Sequence, residues 1–164
     1  MVEYEAEDAD ITYMRIAIAE GARAAEADEV PVGAVVVCDG TVVASARNER
    51  EGRASALAHA EILAIEAASK KLGRWRLSDC TIYVTKEPCP MCAGAIFQAR
   101  MARLVYGPSD PKSGAAGTLF NIVEDERLNW RLPVTRGILE EENIKLLQDF
   151  FRERRQRPVG GADD

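Results

Sequence analysis

Histidine is almost missing from this chain: His59 is the only one in 164 residues. A closed structural zinc site of the two-cysteine, two-histidine kind is thereby excluded. Long apolar runs are missing too, so no segment is fit to cross a bilayer. The first residues, Met1-Val2-Glu3-Tyr4-Glu5-Ala6-Glu7-Asp8, are acidic where a secretory signal is basic and then apolar. These absences predict a cytoplasmic protein with no membrane partner. No internal repeat or low-complexity tract is visible. Cysteine is sparse, four in all, and in a reducing compartment those thiols suit a metal or the core better than disulfides. Cys38 and Cys80 lie in strand-like stretches away from any motif and are expected to be core thiols.

What is present is enough chain for one sizeable core. The expected organisation is an acidic N-terminal segment over 1–10, one domain over 11–157 and a tail over 158–164. The formal charge of −6 is unevenly spread. Five acids lie in residues 1–10 and Asp163 and Asp164 add two, which leaves 20 acids against 21 bases in residues 11–162, a body of about +1. Within it Arg152, Arg154, Arg155 and Arg157 surround a lone Glu153. Such a cluster suits a phosphate-binding edge, and it equally suits a solvated helix end favoured by the helix dipole.

Ile11, Met14, Ile18 and Ala22 recur at helical spacing, with Asp10 or Thr12 as the N-cap and an end near Asp28. A β-branched run over 32–38, the turn pair Asp39-Gly40 and renewed strand character over 41–46 predict an antiparallel hairpin. A second helix is expected from about His59 to Leu72, stopped by Gly73. A strand over 81–85, a helix from Cys89 to about Ala99, a strand over 103–106 and a glycine-rich loop over 113–117 follow. The last helix, about Glu140 to Arg155, should carry Ile144, Leu147, Phe150 and Phe151 on its inner face. This alternation predicts an α/β class with helices covering both faces of a sheet.

The chemistry is concentrated in His59-Ala60-Glu61 and, after 26 intervening residues, Pro88-Cys89-Pro90-Met91-Cys92. Cys89 and Cys92, three apart on a first helical turn, face the same way. Pro88 and Pro90 suit a helix start, where the amides they lack have no partner. The positive end of the helix also favours the thiolate form that metals bind. His59 and Glu61, two apart, converge only at a helix start. One imidazole, two thiolates and a carboxylate beside them make a zinc site with three protein ligands, a position open to water and a proton carrier. Pro-Cys-x-x-Cys alone would also suit a redox pair or half a zinc knuckle. A redox pair does not require His-Ala-Glu, however, and a knuckle lacks its fourth ligand here. The combination matches the general signature of zinc nucleobase deaminases, with one zinc per chain on His59, Cys89 and Cys92 and Glu61 as the catalytic group. Asn48, ending the second strand, by position alone suits a simple turn residue.

A wider set of residues carries a family resemblance. Val30-Pro31-Val32-Gly33-Ala34-Val35, Asn48, the two motifs above, Val105-Tyr106-Gly107, Asp110-Pro111-Lys112-Ser113-Gly114-Ala115-Ala116-Gly117 and Phe150-Phe151-Arg152 together resemble the bacterial tRNA-specific adenosine deaminases, from about residue 12 to 157. The resemblance implies a cytidine-deaminase-like three-layer α/β/α fold with a mixed five-stranded sheet, and a homodimer. It implies hydrolytic conversion of adenosine to inosine at the wobble position of a tRNA anticodon loop. Asn48 would then hydrogen-bond the base, Ala60 and Pro88 would line its pocket, Asp110 and Lys112 would touch neighbouring nucleotides, and Phe150, Arg152 and Arg155 would border the RNA groove. Two residues depart from the family pattern, Trp130 in place of a histidine expected near the substrate and Asn143 in place of a cysteine in the last helix. A guanine or other free-base or nucleotide deaminase of the same fold remains an alternative, as does a non-catalytic zinc- or RNA-binding module, against which the retained Glu61 speaks.

Overall fold

A computed structural model describes residues 2–158, with side chains from Asp8 onward. Over these residues the elements run α1 (Val2–Glu26), β1 (Gly33–Cys38), β2 (Thr41–Arg47), α2 (Ala60–Leu72), β3 (Cys80–Val84), α3 (Pro90–Gln98), β4 (Arg103–Tyr106), β5 (Val134–Thr135) and α4 (Glu140–Gln156). They form a five-stranded sheet in the order β2-β1-β3-β4-β5. The pairs β2/β1 and β1/β3 are antiparallel, whereas β3/β4 and β4/β5 are parallel. The mixed three-layer architecture expected from the sequence is the one observed.

Strand β1 is buried along its whole length, as a strand covered on both faces must be. Val35 and Val37 pack with Met14, Ala17, Tyr83 and Val105 under α1. Ala34 and Val36 turn the other way, into a larger cluster with Ile82, Val84, Leu104 and Tyr106 under α2 and α3. Small residues let these layers close. On α2 the inner positions are Ala60, Ala64 and Ala68, and a Cβ at Gly33 would stand only 1.9 Å from the Ala17 carbonyl oxygen, so α1 can cross β1 only over a glycine.

Three expectations are corrected here. Helix α1 starts before Asp10 and Thr12 and runs unbroken across residue 10, so neither residue is its N-cap. Asp10 instead accepts two hydrogen bonds from Arg103, at 2.8 and 2.7 Å, and one from the Tyr83 hydroxyl at 2.9 Å, which pins the helix to β3 and β4. Helix α4 keeps Phe150 inside, as its spacing predicts, but is turned enough that Ile144 and Phe151 leave the expected face. Asn143 and Phe150 are its buried positions and Leu146 approaches Gly21 of α1, while Ile144 and Phe151 are 36% and 40% exposed. The rotation follows from Gly107, whose missing side chain admits Asn143: a Cβ there would lie 2.6 Å from Nδ2. Strand β5, only two residues long, has no counterpart among the strand ranges located in the sequence. Of the expected tail, residues 159–164 lie outside the described residues. Among the described residues no helix is long and apolar enough to cross a membrane.

Candidate active site and metal centre

His59 is the N-cap of α2 and Cys89 the N-cap of α3, both in extended backbone and neither using its side chain to cap its own helix. Their side chains are therefore free to meet in front of the two helix starts. His59 Nδ1 lies 3.7 Å from Cys89 Sγ and 3.5 Å from Cys92 Sγ, and all three donor atoms fall within 4.8 Å of one another. A tetrahedral zinc with bonds of about 2.0–2.3 Å separates its ligands by roughly 3.5–3.8 Å. The three donors thus stand at the spacing one such ion needs, and their mixed nitrogen and sulfur set suits it.

The electrostatics agree with that fit. The hydrogen bond from Cys92 and then the one from His59 hold the Cys89 thiol down at about 4, while the same contact and burial push Cys92 up. The contact with Cys89 raises His59. Glu61, 4% exposed, is raised by burial. A carboxyl raised in this way is better suited to act as an acid as well as a base.

His59, Cys89 and Glu61 floor a cavity of about 260 Å³ walled by Val30, Val32, Asn48, Arg50, Ala60, Lys86, Glu87, Asp110, Ser113 and Phe151, with Cys92 buried behind the floor. That is just under the roughly 300–1,000 Å³ of pockets for drug-sized ligands and fits a single base. Asn48 is held by its own backbone neighbourhood, donating to the Val30 carbonyl at 3.3 Å and accepting from the Arg50 amide at 3.2 Å. Of the binding residues expected from the sequence, Asn48, Ala60 and Asp110 line this cavity. Lys112, Arg152 and Arg155 line a neighbouring groove of about 610 Å³, with Phe151 bordering both. Two expected residues lie elsewhere. Pro88 sits behind the wall, its carbonyl accepting the Ala115 amide at 2.9 Å. Phe150 is buried, on the inner face its helical spacing predicted, and packs edge-on against Phe151. Trp130 lines neither space. It packs against the core under α2 and α3 and donates to the Met101 carbonyl at 3.0 Å.

Glu87 was not singled out in the sequence, yet it organises the far wall. Its buried carboxylate accepts the amides of Asp110 (2.8 Å), Ala116 (3.3 Å) and Thr118 (3.0 Å), and the Thr118 hydroxyl (2.6 Å). A Cβ at Gly114 would stand 2.2 Å from its Oε2, so the glycine permits the loop to wrap this closely. Asp110, presented by that loop, pairs with Lys86 at 3.1 Å. Burial works to raise its carboxyl, but the Lys112 amide, the Ser113 hydroxyl and Lys86 outweigh it and bring it to about 2.

Comparison with known proteins gives consistent matches. A family model described as MafB19-like deaminase matches residues 8–155. The tRNA-specific adenosine deaminase of Bacillus subtilis (strain 168) is 49% identical over 148 residues, covering 90% of this chain and 92% of that protein. A solved structure from work on A-to-I editing by tRNA:A34 deaminases at the wobble position of transfer RNA superposes with a TM-score of 0.80 at 41% identity, over 83% of this chain and 99% of that one. A guanine deaminase from Nitrosomonas europaea has a TM-score of 0.76 over 85% of this chain and 83% of that one, and at 24% identity shares the fold.

Proposed function

The chain belongs to the tRNA-specific adenosine deaminases, and on that premise we propose that it hydrolyses adenosine to inosine at the wobble position of a tRNA anticodon. The observation that carries the chemistry is the meeting of His59 Nδ1, Cys89 Sγ and Cys92 Sγ at the floor of a base-sized cavity that His59, Cys89 and the buried Glu61 line. His59, Cys89 and Cys92 would hold one zinc per chain, and that ion would supply the Lewis acidity that makes water a nucleophile near neutral pH.

The remaining steps belong to the chain's own groups. The Glu61 carboxylate takes one proton from the attacking water and passes it to the purine ring nitrogen, then takes the second from the new hydroxyl on C6 and passes it to the amine there, which leaves as ammonia. Asn48, fixed by two backbone partners, orients the base. Ala60 opens α2, so its amide lacks an intrahelical acceptor, and the residue lines the cavity. Lys112, Phe151, Arg152 and Arg155 hold the flanking nucleotides in the adjoining groove, where an anticodon loop can splay its bases without unpairing a duplex. The enzyme is a cytoplasmic homodimer in this reading. Leu57, Leu119 and Phe120, each more than half exposed, support an apolar contact with a partner.

The deciding experiment offers the purified protein an anticodon stem-loop, total tRNA, and free guanine, cytosine and adenosine in parallel. Inosine in the RNA digest, with the free compounds unchanged, is the expected result. Rapid deamination of guanine with the stem-loop untouched would replace this reading by that of a free-base deaminase.

A further inference from the structure

At the opposite end of β3 from the catalytic cysteines, a second group of metal-binding side chains comes together. Cys38 closes β1, Cys80 opens β3, and the two are direct partners in the antiparallel register, with both side chains on the face under α2 and α3. Asp79 precedes Cys80, and its Oδ1 lies 3.5 Å from the Cys80 sulfur. The two sulfurs and a carboxylate oxygen all fall within 4.8 Å of one another. The thiols are core residues, as the sequence predicts, but a core pair of thiols needs no charged neighbour. Here Arg74 stands over them, donating to Asp79 at 2.7 and 2.9 Å and reaching 3.9 Å from Cys38 Sγ.

We propose that Cys38, Asp79 and Cys80 form a second cation site, taking a thiophilic divalent ion of the zinc or cadmium class. Two sulfur donors select such ions over magnesium or calcium. The donors need to close by at most about an ångström to reach the roughly 3.5–3.8 Å spacing of tetrahedral coordination. Charge also balances. Two thiolates and a carboxylate carry three negative charges, the ion carries two positive ones and Arg74 the third. Asp79 and Arg74, 47% and 37% exposed, give the ion a way in from solvent. Binding releases the two thiol protons. Burial raises both thiols, Cys80 up to about 12, so protons compete with the ion for them.

The test uses zinc-loaded protein dialysed against increasing Cd²⁺, with total bound zinc plus cadmium counted by elemental analysis and alkylation of Cys38 followed by peptide mass. The total is expected to rise from about one to about two per chain, to fall back to one in Cys38→Ser/Cys80→Ser, and to need at least about tenfold more Cd²⁺ in Asp79→Asn. Because Cys80 is fully buried, Asp79→Asn and the labelling of the unsubstituted protein test the same point without disturbing the core. A total that stays at one under saturating Cd²⁺, a second ion that persists in the double variant, or Cys38 alkylation that Cd²⁺ does not slow would each overturn the proposal.

Discussion

Glu61 and its neighbours show how much chemistry depends on single side chains. The carboxylate is buried but is not one of the three donors that lie within reach of a single ion, so metal retention and catalysis should separate by substitution. Glu61→Ala is expected to keep zinc and fold while losing ~10²- to 10⁴-fold in kcat, the usual contribution of a general acid-base group. His59→Ala, Cys89→Ser and Cys92→Ser should instead lose the metal itself. Elemental analysis beside a deamination assay checks both halves, and activity within a few-fold of the parent in Glu61→Ala would remove its proton-carrying role. These residues were legible in the sequence because their spacing has only one economical use: an N-cap histidine and an N-cap cysteine pair can meet only where two helices begin side by side. Trp130 was not legible. Its position in the pattern pointed to the substrate, but a large indole with one donor is most easily satisfied in the core, and it donates to Met101 there.

Among the elements, helices with strong end signals were placed within a residue or two, α2 by His59 and Gly73 and α3 by its prolines. What apolar spacing alone could not give was the rotation of α4, since a buried Asn143 fitted against Gly107 counts as polar in any periodicity. Phe150 stays inside as its spacing predicted, and Phe151 is the aromatic that reaches the cavity. The two-residue β5 is too short for an alternating pattern to register. The loop over 109–118 is the element whose order was least visible, because it depends on Glu87, distant in sequence and indistinguishable there from a surface acid. Glu87→Gln turns an acceptor of four hydrogen bonds into a group that presents its own N–H to those donors, each buried unpaired donor costing about 1–3 kcal/mol. The expected outcome is a lower Tm with zinc retained, and a KM for the stem-loop that rises more than kcat falls. Gly114→Ala, which drives a methyl group into the same carboxylate, should reproduce it, and the double variant should be little worse than either single one because both act through one contact. Additive losses in that cycle would separate the two residues.

At the scale of the whole molecule the charge poses a problem that its distribution answers. A formal charge of −6 opposes an RNA partner, but the acids concentrate at the ends of the chain and the groove beside the cavity presents Lys112, Arg152 and Arg155. Within the arginine cluster the structure also separates roles. Arg154 lies over the Phe150 ring at 5.5 Å and Arg157 pairs with Asp28 at 2.8 Å, so neither is a wall of the groove. Each phosphate neutralised by a groove cation adds about 0.7 to the salt slope for a single strand. Stem-loop affinity should therefore fall with added salt, though with a modest slope, since few cations face the groove and base contacts carry the rest. Replacing Arg152 and Arg155 together by Ala should flatten that slope by about one to two contacts and weaken binding at low salt, with zinc content unchanged. Arg154→Ala should leave the slope as it is. Binding measured across a salt series for the three proteins decides the matter, and an unchanged slope in the double variant would move the RNA to a different face of the molecule.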